Sequence, residues 1–180
     1  GNVVLNAETI AANLNGSATD LAAAFNGITT LTSTLTITGT TPATIAELMT
    51  INAATSGNVV LNAQTIGTAY SDTAANLAAA FDGITMSTVT LTIIGGDPAT
   101  IAELITINAA TSGNVVLNAQ TIATAYDDTA ANLAAAFDGI NTSTGDLTIT
   151  DTTPATVAEL ITINAATSGA VALNPQTITA

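Results

Sequence analysis

Gly113-Asn114-Val115-Val116-Leu117-Asn118 returns 32 residues later as Gly145-Asp146-Leu147-Thr148-Ile149-Thr150, and 56 residues earlier it reads Gly57-Asn58-Val59-Val60-Leu61-Asn62. The longer interval is a true period. Gly1, Gly57, Gly113 and Gly169 open successive copies, and Phe25, Phe81 and Phe137 mark one shared place inside them, as do Pro42, Pro98 and Pro154. Residues 57–112 and 113–168 agree at 45 of 56 positions. A fixed period of this size marks stacked units that each touch only their neighbours, rather than one central core. The chain therefore reads as a single array over 1–180, with repeats 1–56, 57–112 and 113–168 and a partial fourth at 169–180.

The shorter interval divides each unit into two halves of about 32 and 24 residues, near the 20 to 29 residues of leucine-rich repeats. Each half opens with period-two alternation, as in a half-buried strand. Val59 and Leu61, like Leu91 and Ile93, are expected to point inward, with Asn58, Val60 and Asn62 outward beside Thr90 and Thr92. This places strands near 3–6, 34–38, 59–62, 90–94, 115–118, 147–150 and 171–174. Each half then enters an Ala-rich helical stretch. In Asp128-Thr129-Ala130-Ala131-Asn132-Leu133-Ala134-Ala135-Ala136-Phe137-Asp138-Gly139, Asp127 or Asp128 is the expected N-cap and Gly139 the left-handed residue past the end. Leu133, Phe137 and Ile140 share one face. In the other half Asp97-Pro98 offers a cap and a first helical residue, with Ile101, Leu104 and Ile107 on a buried stripe.

Strand followed by helix, repeated, requires crossover connections, which are right-handed, and parallel pairing. The expected fold is α/β: a right-handed α/β solenoid with one parallel sheet of about seven strands and helices on the other side. A mainly β solenoid with short helical corners is the alternative.

Composition narrows the function. The 180 residues hold no Lys, Arg, His, Cys or Trp, and 13 carboxylates give a net charge of −13. Only 7% of residues are charged and 48% are hydrophobic, so this is a folding chain and not an acidic tail. A protein without cationic side chains cannot neutralise phosphates, which argues against nucleic acid and against anionic membrane surfaces. Thr, Asn and Asp interrupt every apolar run before the roughly 18 residues a membrane span needs. The lack of His excludes the common nucleophilic triads, and five aromatics, all Phe or Tyr, make a poor sugar-binding cleft. No catalytic residue is assigned, and the chain is read as not an enzyme.

Pro98-Ala99-Thr100-Ile101-Ala102-Glu103-Leu104-Ile105-Thr106-Ile107-Asn108-Ala109-Ala110-Thr111-Ser112-Gly113 and Asp72-Thr73-Ala74-Ala75-Asn76-Leu77-Ala78-Ala79-Ala80-Phe81 resemble tandem repeats of very large bacterial secreted or cell-surface proteins of cyanobacterial and proteobacterial type. The resemblance spans essentially the whole chain. It implies an extracellular or cell-surface location and a role in filaments, surface layers or adhesion, and it brings no catalytic residue. The glycine-rich calcium nonapeptide of many secreted repeat proteins is represented here only by Gly95-Gly96-Asp97.

Three surface features remain. Asp127, Asp128 and Asp146, with Asp138, are the candidate oxygen ligands for a hard cation such as Ca²⁺, and no other cofactor is expected. Helix caps and solvated turns explain the same carboxylates. Thr34, Thr36 and Thr38, then Thr90 and Thr92, then Thr148 and Thr150 would form outward ranks of the kind an ice-binding or glycan-binding face uses, alternating with Asn-Val-Asn rows. Asn6, Asn62, Asn118 and Asn174 are expected to form an asparagine ladder that satisfies turn backbone groups. Gly1 to Leu5 is ordinary strand text with no polar cap before it, so the expectation is either an excerpt of a longer array or open ends that meet other copies. Together these give a non-catalytic structural segment of a bacterial extracellular filament, surface layer or giant adhesin.

Overall fold

The computed structural model describes residues 3–85 and 88–173. In chain order its elements are α1 (Ala7–Ala11), β1 (Leu14–Gly16), α2 (Ala18–Phe25), β2 (Leu35–Ile37), α3 (Ile45–Ala54) and β3 (Val59–Val60). The next unit gives α4 (Ala63–Ile66), β4 (Tyr70–Asp72), α5 (Ala74–Phe81), β5 (Leu91–Ile93), α6 (Ile101–Ala110) and β6 (Val115–Val116). Then come α7 (Ala119–Ala123), β7 (Tyr126–Asp128), α8 (Ala130–Phe137), β8 (Leu147–Ile149), α9 (Val157–Ala166) and β9 (Val171–Leu173).

The fold is α/β and every strand pair is parallel. The strands do not form one sheet of seven. They form three separate sheets, ordered β1-β2-β3, β4-β5-β6 and β7-β8-β9. The helices follow a different rhythm. They pack in the unbroken series α2-α3-α5-α6-α8-α9, two per unit. Helix axes need about 9 Å each, whereas strands repeat at ~4.8 Å. Two helices therefore take up about 18 Å per unit, while three strands of an unbroken ladder would take up only about 14 Å. The ladder has to open once per unit, and it opens between β3 and β4 and between β6 and β7.

The expected strands at 34–38, 59–62, 90–94, 115–118, 147–150 and 171–174 are present in shortened form, Asn174 lying outside the described residues. The 24-residue step of the half-repeat is a pairing register, with Leu91 opposite Val115 and Leu147 opposite Val171. Across the 32-residue step, β6 and β8 lie in different sheets, and β8 pairs with β7 instead. Residues 3–6 form no strand, although the matching residues 59–60 and 115–116 do, because no described coil lies before them to supply a ladder. The sequence pattern does not announce β1, β4 and β7. Tyr70-Ser71-Asp72 and Tyr126-Asp127-Asp128 are too short and too acidic to alternate visibly. The hydrogen-bonded blocks consequently run 14–60, 70–116 and 126–173, out of phase with repeats counted from Gly1.

The two helical stretches are as expected, but their caps are not. Thr129, not Asp127 or Asp128, caps α8, and Thr100, not Asp97, caps α6 with Glu103 closing a capping box. Gly139 takes φ +71° just past α8. Leu133, Phe137 and Ile140 are buried with Leu91, Ile93, Leu104 and Ile107. Val59 and Leu61 are half-buried, and Asn62, expected outward, is buried.

Neighbouring segments of the chain touch backbone to backbone at the Thr-Ser-Gly that spans each repeat boundary. The Thr55 hydroxyl donates to the Ser33 carbonyl (2.6 Å) and accepts from the Gly57 N–H (2.9 Å). Thr111 with Val89 and Gly113, and Thr167 with Gly145 and Gly169, repeat the clamp. A Cβ at Gly113 would run into the Thr88 and Val89 carbonyls, which are backbone and cannot move aside. The same close approach at Gly57 and Gly169 explains the glycine that opens the later copies. Gly113→Ala should lower stability by about 3 kcal/mol, whereas Gly96→Ala, with open space around it, should change it by less than about 0.5 kcal/mol. Urea unfolding of the two variants measures the contrast.

Candidate functional site: the joints between units

The residues with the most specific geometry lie where one unit meets the next. The chain around Pro42 belongs to neither strand nor helix, so the Ala43 peptide has no ladder to satisfy it. The Thr65 hydroxyl in α4 accepts from the Ala43 N–H (2.9 Å), and the Tyr70 hydroxyl in β4 donates to the Ala43 carbonyl (2.8 Å). Ala99 is held identically by Thr121 and Tyr126. Ala43, Ala99, Thr65 and Thr121 are all buried. Each tyrosine ring also meets the next helix edge-on, Tyr70 against Phe81 at 5.5 Å and Tyr126 against Phe137 at 5.7 Å.

The helix layer has its own joint. Asn52 in α3 donates from Nδ2 to the Ala79 and Asp82 carbonyls at the end of α5 (3.1 and 3.0 Å). Asn108 does the same for Ala135 and Asp138 of α8, both at 3.0 Å. Every helix C-terminus leaves carbonyls without partners, which a glycine turn, water or a cationic side chain can satisfy. In a chain without cations, the amide of the neighbouring helix takes that role. The expected asparagine ladder is replaced by separate clamps. Asn62 accepts from the Thr65 N–H and donates to the Gly39 and Thr41 carbonyls of the preceding coil. Asn118 repeats this on Gly95 and Asp97, while Asn6 caps α1 and Asn174 lies outside the described residues.

The cation candidates are divided among structural tasks. Asp128 Oδ1 accepts from the Thr129 N–H (2.7 Å) and from Asn132 Nδ2 (2.8 Å). Asp146 Oδ1 accepts from the Ala170 N–H at 2.8 Å, tying the approach to β9 to its neighbour. Asp127 is exposed in mid-β7 opposite Thr148, and Asp138 is the C-cap of α8. Among the described residues no three carboxylates gather in one place. The threonine ranks are also interrupted. Across the sheets the outward rows read Asn15-Thr36-Val60, Ser71-Thr92-Val116 and Asp127-Thr148-Ala172, one threonine in each.

Where the sheet opens, a cleft appears. Asn52, Ser56, Asn58 and Val59 face Asp82, Gly83 and Ile84 across about 500 Å³, and Val115 and Leu117 face Ile140 and Asn141 across about 320 Å³. In the first cleft the Ser56 hydroxyl donates to the Leu31 carbonyl (3.4 Å). Sequence reasoning misses the grip of Thr65 and Tyr70 on Ala43. Its one legible trace is the tyrosine shared by two units and absent from the first, where Leu14 stands.

Burial pushes Tyr70 and Tyr126 above the ordinary phenol value, so both stay neutral donors. Glu47 is partly desolvated, which works against its charge. Hydrogen bonds from the Thr44 backbone, then from the Thr19 and Thr44 hydroxyls, outweigh that and hold it below the usual carboxylate range. The Thr156 backbone and hydroxyl do the same for Glu159.

No family model, curated protein or solved structure matches the chain.

Tyr126→Phe should cost about 1–3 kcal/mol by leaving the buried Ala99 carbonyl unpaired. Denaturant unfolding reads this against Thr142→Ala, a control on the exposed surface. A depressed carboxylate stabilises above its unfolded value of 4.5 and loses that contribution as pH falls through the lower folded value. The gap in Tm between the native chain and Glu47→Gln should therefore be constant from pH 7 to about 5 and close toward pH 3.

Proposed function

We propose that this chain is a non-catalytic structural segment, a short α/β solenoid whose task is to set a length and present a surface. The observation that carries the reading is the repeated joint. Asn52 on α5 and Asn108 on α8, with Tyr70 on Ala43 and Tyr126 on Ala99, are the same contact made twice along one direction. A joint that repeats without closing adds length with each unit. In this reading the coils wind with one hand into a single stack, and the interrupted sheet is continuous in direction though not in hydrogen bonding.

Its setting is an extracellular bacterial filament, surface layer or giant adhesin. Absence of Lys and Arg removes every trypsin site, and absence of Cys removes dependence on redox state, both of which suit a chain outside the cell. No helix among the described residues is long and apolar enough to cross a membrane. The net charge of −13 keeps neighbouring segments soluble and apart.

Inserting one further copy of residues 113–168 after Ser168 tests the reading. Small-angle X-ray scattering should show the longest dimension growing by about 18 Å, two helix spacings, with the cross-section unchanged. Growth in all directions would sink the solenoid reading.

A further inference from the structure

The surface that α3 presents to α5, and α6 to α8, is presented by α9 to no further helix among the described residues. Ile161 is 65% exposed and Val157 74% exposed, while the matching Met49, Ile105, Ile45 and Ile101 are half-buried. Leu160 is half-buried where Leu48 and Leu104 are fully buried, and Asn164 stands exposed at the place of Asn52 and Asn108. Val157, Leu160, Ile161, Asn164, Val171 and Leu173 line an open groove of about 430 Å³.

The opposite end carries the matching surface. Ala24 of α2 is exposed, while Ala80 and Ala136 at the same position are fully buried under α3 and α6. Ile28 is half-buried where Ile84 and Ile140 are buried. The helix text is nearly identical, Ala18-Thr19-Asp20-Leu21-Ala22-Ala23-Ala24-Phe25 against Ala74-Ala75-Asn76-Leu77-Ala78-Ala79-Ala80-Phe81. We infer that the α9 face binds the α2 face of a second copy of this chain, head to tail, with Asn164 donating to the Ala23 and Asn26 carbonyls as Asn52 does to Ala79 and Asp82.

This rests on the array reading and goes beyond it by naming the partner and the joint. The occupant is set by a template within the molecule: the same groove is filled twice along the chain, each time by a helix of this sequence. Residues 3–12 correspond to 59–68 and residues 169–173 to 57–61, so the two segments compete for one place in the joint. The segment from Gly169 is already paired through β9 to β8, whereas residues 3–6 form no strand and α1 buries no side chain. The incoming copy's first residues give way. The joint is weaker than the internal ones in one respect, since Leu14 stands where Tyr70 and Tyr126 hold Ala43 and Ala99. The contacts are neutral, so salt that screens the net charge favours them.

Sedimentation of the purified chain in 0.15 and 1 M NaCl tests the joint. Mass should rise with concentration, more steeply at high salt. Ile161→Asp and Ala24→Asp, both at exposed positions, should each be monomeric alone, and a 1:1 mixture should form dimers and stop there. Leu14→Tyr should tighten association about fivefold by supplying the missing hydrogen bond. A native chain that stays monomeric throughout overturns the inference and leaves the scattering test of the array untouched. An Ala24→Asp variant that still dimerises alone overturns it too, because like faces would then be pairing.

Discussion

Two spacings that do not match govern this molecule. Helices cannot approach closer than their side chains allow, about 8–10 Å, with alanine at the short end of that range. Parallel strands are held at ~4.8 Å by their hydrogen bonds. A stack with equal numbers of strands and helices has to curve to reconcile the two spacings, as the horseshoe of leucine-rich repeats does. Here each unit has three strands and two packed helices, and the ladder breaks once to let the helix layer stay continuous. The short α4 and α7 segments lie at those breaks, each leading from a third strand to the first strand of the next sheet. The same breaks create the clefts beside β3 and β6.

A chain without cations must also find neutral partners for its helix ends and turns. It does so with amides and hydroxyls placed at fixed intervals. Thr44, Thr100 and Thr156 cap helix starts with Glu47, Glu103 and Glu159 returning the bond, while Asn52 and Asn108 close helix ends from the neighbouring helix. Much of the Thr and Asn content serves that arrangement, as Asn52, Asn62, Asn108, Asn118, Thr55, Thr111 and Thr167 each satisfy backbone groups of a neighbouring segment. It also explains why threonine on the sheet face is sparse. Thr55, Thr65, Thr111, Thr121 and Thr167 are occupied at the coil joints instead. Buried polar atoms that are paired in this way specify one register, since a slip of one residue would strand several at once.

Legibility in the sequence follows the strength of local pattern. The period, the α/β class, one step of the half-repeat register and the helix face of Leu133 and Phe137 can all be read, because each is a recurrence of apolar residues over many positions. What escapes is non-local. Asp97 and Asp128 resemble caps by proximity, but the caps are threonines three and one residues later, whose hydroxyls accept the N–H of the third helical residue. The first strand of each sheet is invisible because Tyr126-Asp127-Asp128 is three residues long and gains its ladder only from β8. A single seven-stranded sheet is the natural extrapolation from strands alone. Nothing in a one-dimensional pattern states that the helices beside them need nearly twice the room. The site candidates fail for a related reason, since a carboxylate's neighbours in sequence do not reveal that Asp146 is committed to Ala170.

The distribution of charge bears on how such units meet. With 13 carboxylates and no counter-charge, a joint built on side-chain ion pairs is impossible, and any joint that buried a carboxylate would be costly. The bonds from Asn52 and Tyr70 to the next unit are between neutral groups: an amide or a phenol hydroxyl donates, and the backbone carbonyls of Ala79, Asp82 and Ala43 accept. Apolar area then supplies the attraction, and the amide and hydroxyl bonds fix the register. Such a joint tolerates drift at exposed acidic positions, as the change from Ser71 to Asp127 at one site in β4 and β7 illustrates. Units can therefore vary in surface charge while keeping the same neutral contacts to their neighbours.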